Sequence, residues 1–167
     1  MMKIPTFFSI PLLLLSLAFT GQVSGHSFST SFLNIDRDGL LKYQISFHDL
    51  VALNDDWIDE GKISKQLLNG KLNKLEQFLN QTVSLNQCHL VLTHNNPWVT
   101  VTYAKEQYLV LQAEPDCDQP LTSVTVNNVW TEFPDHRVIV ESSLLDTSSN
   151  PTVIDIEQRT VFFNFES

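Results

Sequence analysis

The sequence predicts a mainly β chain, an antiparallel β-sandwich of immunoglobulin-like or related form with one helical insertion. Three observations predict it. Apolar and polar side chains alternate along run after run, clusters of Asn, Asp, Gly and Pro punctuate those runs, and a single stretch changes to helical spacing. Strict alternation of strand with helix, the mark of a parallel sheet, is absent.

The chain opens with Lys3, an apolar stretch over 7–19, and small residues Val23 and Gly25 at the minus-three and minus-one places of a cleavage site. About 13 apolar residues fall short of the roughly 20 that span a bilayer as a helix. Residues 1–25 therefore read as a cleavable secretory signal, and cleavage leaves His26 as the new N-terminus. The remainder, 26–167, has the length of a single β-sandwich domain.

An edge strand is expected near 28–35, followed by a run over 41–48, where Leu41, Tyr43, Ile45 and Phe47 alternate with Lys42, Gln44, Ser46 and His48. Further strands are expected over 90–93, 99–103, 108–113, 124–131, 138–141, 153–156 and 160–165. Asp38-Gly39, Asn95-Asn96-Pro97, 116–120, Phe133-Pro134-Asp135 and 148–151 supply the turns. Between these runs, near 62–80, Ile63, Leu67, Leu68, Leu72, Leu75, Phe78 and Leu79 recur at three- and four-residue steps, predicting an amphipathic helix on the sheet. Asn69 and Gly70 near its middle predict a split into two short helices. Lys62, Lys65, Lys71 and Lys74 read as its solvated face.

The chain carries 10 basic and 19 acidic residues, a net charge of −9, which becomes −10 when Lys3 leaves with the signal. That field repels nucleic acid and anionic lipid, and no second apolar run approaches membrane length. Cys88 and Cys117 are the two cysteines, and in an exported protein they most simply form one disulfide. The alternative, a thiolate metal or redox site, favours closer spacing.

His26 would offer a free amine and an imidazole on one residue, a chelate for nickel or copper if a second histidine comes near. The partner is open among His48, His89, His94 and His136; His136 in the turn Pro134-Asp135-His136-Arg137 is the better placed, and His26 with His136 form the candidate metal pair. The stretch 54–63 has the outline of a calcium loop with Asp56 first and Glu60 fifth, but Ile58 and Leu67 stand at the third and twelfth positions and cannot coordinate. An acidic turn capping the helix is the favoured reading, with Asp59 and Glu60 near its N-terminus suited to its dipole. Asn80-Gln81-Thr82 is formally a glycosylation sequon, and no nucleophile elbow, phosphate loop or zinc-protease motif occurs. Trp98 and Trp130 are either core or an aromatic recognition surface.

Several of these pieces together resemble the exported N-terminal domain of HupE/UreJ-like proteins. They are His26 after the signal, Ser31-Phe32-Leu33, Phe47-His48-Asp49-Leu50, the loop ending Gly61-Lys62-Ile63, Cys88-His89-Leu90, Tyr108-Leu109-Val110-Leu111, Asp116-Cys117, and Pro134-Asp135-His136-Arg137. The resemblance implies an accessory role in hydrogenase or urease maturation, with nickel or a related metal as cargo; in the family a polytopic membrane region follows this domain, whereas the expectation here is the exported domain without it. The expectation is thus a periplasmic or secreted, non-enzymatic accessory domain. It would handle nickel or copper for an envelope membrane protein or transporter, or act purely as a protein-interaction domain through a sheet edge.

Overall fold

Alternating burial builds the larger of two sheets. The structure is a computed structural model that describes residues 29–36, 38–60, 62–142, 144–145 and 151–163, so the expected signal and His26 lie outside the described residues. Strand β1 (Thr30–Ile35) buries Ser31, Leu33 and Ile35 completely, and β2 (Leu41–Ser46) does the same with Leu41, Tyr43 and Ile45. The two pair antiparallel, setting Leu33 opposite Tyr43 and Ile35 opposite Leu41. On its other side β1 runs parallel to β8 (Arg137–Ser142).

The first strand is therefore central, where an edge strand was expected, and the larger sheet is mixed. Order along the chain does not fix order across a sheet; β1 is central because it pairs with β2 on one side and β8 on the other, a relation that one-face alternation does not report.

Strand β6 (Glu106–Asp116) is the long spine next to β2. Its other side carries two strands end to end, β4 (His89–Leu92) and β5 (Trp98–Tyr103). β9 (Thr152–Ile154) pairs with β8 and completes the seven-stranded sheet. A second sheet has the order β10 (Thr160–Phe162), β7 (Ser123–Val126), β3 (Val83–Leu85). One apolar cluster holds both sheets and the helices together, with Leu33, Leu109 and Val140 from the larger sheet, Val83, Val124 and Val161 from the smaller, and Leu68, Leu75 and Leu79 from the helices. The chain is mainly β with a helical insertion, as a sandwich of this kind requires.

Where alternation was expected to run on to Phe47, a helix begins instead. The Ser46 hydroxyl accepts the Asp49 N–H and caps α1 (Phe47–Leu53). The long helix splits at Gly70 into α2 (Lys65–Gly70) and α3 (Leu72–Thr82), as expected from Asn69 and Gly70. Ser64 caps α2 by accepting the Leu67 N–H, so Asp59 and Glu60 stand outside the helix start they were expected to cap. The run expected over 124–131 ends at Val126, because Asn128 takes a left-handed conformation (φ 63°) and opens a 3-10 turn at Val129–Thr131. Among the described residues no helix is long and apolar enough to cross a membrane.

Candidate functional site

The antiparallel register of β4 and β6 places His89 opposite Asp116, and one step further Cys88 meets Cys117 in a disulfide with Cα atoms 4.7 Å apart. The bridge clamps one end of the sheet. The outer edge of β4 is closed as well, by side chains of α3. Asn80 accepts the Leu90 N–H at 2.8 Å and donates to the Leu90 carbonyl at 2.7 Å, while Glu76 accepts the Leu92 N–H at 2.9 Å. The amide of the sequon is thus committed to backbone hydrogen bonds, so a glycan on Asn80 would strip this edge of its cover.

Three segments far apart in sequence meet at His136, which is 1 % exposed. The Asp49 carboxylate only accepts, so Ser29 donates to it, at 2.6 Å. The same Ser29 oxygen bonds His136 Nδ1, which is therefore the protonated nitrogen, and the bare Nε2 accepts from Ser31 Oγ at 2.9 Å. Tyr43, fully buried beside Ser31, has its pKa pushed up, by burial first and by Asp49 to a lesser degree, against a lowering contribution from Ser31. Burial pushes the His136 imidazole down to about 4, against an opposing pull from Asp49, so the ring is neutral at ordinary pH.

This chain of serines, imidazole and carboxylate has the ingredients of a nucleophilic relay but the wrong geometry. Ser31 lies fully buried on the inward face of β1, where no substrate reaches it, and Ser29 stands between imidazole and acid. What the network does is tie Ser29, just ahead of β1, to α1 and to the turn before β8.

His136 was expected to serve as a metal ligand with His26. Both its ring nitrogens face serine hydroxyls, so a metal would have to displace one of them; His26 lies outside the described residues. His48 projects to solvent with Nδ1 3.1 Å from Asp49, and His89 approaches Glu76 at 3.7 Å. In the acidic stretch, the Asp56 carboxylate is taken by Lys74 at 2.8 Å and its backbone carbonyl by Lys71; the Lys74 hydrogen bond and charge hold that carboxyl below its usual range. Among the described residues no group of three His, Cys, Asp or Glu side chains is placed to hold a metal ion. Trp130 is core, its indole N–H donating to the His136 carbonyl at 2.9 Å under the Arg159 guanidinium.

Strand β5 is built differently. Its hairpin to β6 turns on Ala104 (φ 50°) and Lys105 (φ 71°), a two-residue turn with both residues left-handed. Such a turn makes Tyr103 and Glu106 a hydrogen-bonded pair, and alternation carries the pattern down to the bond from the Gln112 N–H to the Pro97 carbonyl. The N–H and C=O groups of Trp98, Thr100 and Thr102 consequently point away from β6, and among the described residues none of them has a partner.

Val99, Val101 and Tyr103 project from the outer face and are 38 %, 37 % and 67 % exposed. Below the inner face runs a groove of two cavities, about 540 and 560 Å³, that share Phe47, Ile63 and Gln107. Trp98 forms part of its wall, half-buried, with its indole N–H donating to Asn69 at 3.1 Å. Nothing in the alternation of Trp98–Tyr103 announces this openness; the one available signal is that the run contains no charged residue and no proline.

Neither comparison with protein-family models nor comparison with curated proteins finds a match for this chain.

Proposed function

We propose that this protein is a non-enzymatic, extracytoplasmic accessory domain that binds an envelope partner by accepting one of its strands on the edge of β5. The observation that carries this reading is the row of unpaired backbone groups at Trp98, Thr100 and Thr102, of which Trp98 and Thr100 line a groove whose apolar part is Phe47, Ile63 and Leu68. Strand addition works by that combination: main-chain hydrogen bonds hold the incoming segment, and hollows for alternate side chains select it. The Cys88–Cys117 disulfide supports placement in an oxidising compartment, periplasmic or secreted. Nickel or copper handling, the other form of the accessory role, rests on the family resemblance and on His26.

A photo-crosslinking side chain placed at Thr100 or Thr102 in cells of native origin should give a discrete adduct. The same group at Val91, which is 42 % exposed on the closed strand β4, should give none. Equal adducts at both strands, or none at β5, would discard strand addition.

A further inference from the structure

The groove beneath β5 reverses the charge of the molecule that contains it. The chain has 19 acidic and 10 basic residues, yet among the described residues no carboxylate lines either cavity, whereas Lys65 lines one, Lys62 the other, and His48 stands at the far end. Of the four lysines that form the basic cluster in the sequence, Lys71 and Lys74 are engaged by Asp56. Lys62 and Lys65 are exposed and, among the described residues, carry no acidic partner. Asp59 and Glu60 precede Lys62 in the chain but line neither cavity.

From this juxtaposition we propose that the strand accepted by β5 is an acidic one: an extended segment with an apolar residue at every second position, facing Phe47, Ile63 and Trp98, and carboxylates beside Lys62 and Lys65. This deepens the strand-addition reading and rests on it. Phe47, Ile63, Leu68 and Trp98 form an apolar patch within an otherwise polar lining, and the guest's inward-facing apolar side chains pack on that patch. The net charge of −9 would repel an acidic guest at a distance, so the two lysines act at contact, selecting sequence and register more than speeding encounter.

The test uses the mature protein with two short synthetic peptides, each alternating valine with threonine, one ending in glutamates and the other in lysines. Binding is followed by amide exchange at Thr100 and Thr102 and by titration. The glutamate peptide should bind about tenfold tighter, and the surface double variant Lys62→Glu with Lys65→Glu should reverse that order. Both peptides should protect the β5 amides where they bind, and neither should protect β4. Equal affinity for the two peptides with β5 protection would overturn the acidic guest while leaving strand addition standing. A preference for the glutamate peptide that survives the double charge reversal would also overturn it. Absence of β5 protection by either peptide at millimolar concentration would overturn both readings.

Discussion

Strands β4 and β5 lie end to end along the same side of β6, yet one is sealed and the other is open. Along β4, α3 reaches over with Asn80 and Glu76 and takes up the backbone groups of Leu90 and Leu92, and the Cys88–Cys117 disulfide pins the end. Along β5 the nearest helix, α2, stands back far enough to leave a groove, and an indole-to-amide bond from Trp98 to Asn69 crosses it. An exposed edge invites pairing with other chains, and natural proteins cover such edges with charges, prolines or helices. Here the cover is applied to one half of a shared edge and withheld from the other, so openness at β5 is a local property and not a general feature of this sheet.

The strongest way to break the contrast is to undo the clamp. Replacing both cysteines with alanine opens a loop of sequence separation 29 and should lower stability by about 3 to 4 kcal/mol. Denaturant midpoints measure the loss, and amide exchange should show it concentrated at β4 and the end of β6. A uniform loosening that reached β5 equally would mean that the two strands are one cooperative edge.

The His136 cage touches neither strand, so its titration serves to sharpen the comparison. The His136 imidazole titrates near 6.5 when unfolded and near 4 when folded. Between those values the unfolded chain holds a proton that the folded chain refuses. The stability that goes with the neutral ring is fully present above about pH 6.5 and is lost as pH falls toward 4, about 3 kcal/mol in all. Urea unfolding across that window should show the decline, and His136→Gln should flatten it relative to the parent curve. Since Ser29, Asp49 and Ser31 form the cage, the weakening should appear at β1 and α1 and leave the difference between β4 and β5 exchange unchanged.

The sequence carried some of this and withheld the rest for identifiable reasons. Alternation located β2, β5 and β6, because a half-buried strand writes its own period. The helix break was legible in Asn69 and Gly70, and the disulfide followed from there being two cysteines. The helix α1 was missed although Ser46 and Asp49 stand at capping-box spacing, because Phe47 continued the strand pattern. The cage around His136 joins residues 107 positions apart, and no local period reports a contact of that separation. Whether an edge is covered is a relation between a strand and a helix, so Trp98–Tyr103 and His89–Leu92 look equally ordinary until α2 and α3 are placed beside them.

The smallest of these effects is also the most direct on the contrast, since it would turn the closed strand into a copy of the open one. Asn80→Ala removes the acceptor of the Leu90 N–H and the donors to the Leu90 and Glu76 carbonyls. Water can reach a surface edge and restore part of what is lost, so the cost should be about 2 kcal/mol, within the range for leaving a partly buried backbone pair unmet. Leu90 amide exchange should quicken towards the rate at Thr100, while the Leu92 amide, still held by Glu76, should lag behind. If the valine-threonine peptides then protect β4 of the variant as well as β5, helix cover alone separates the two edges. If they still ignore β4, the groove floored by Phe47 and Ile63 is what makes β5 a binding site, and unpaired backbone without hollows beside it does not suffice.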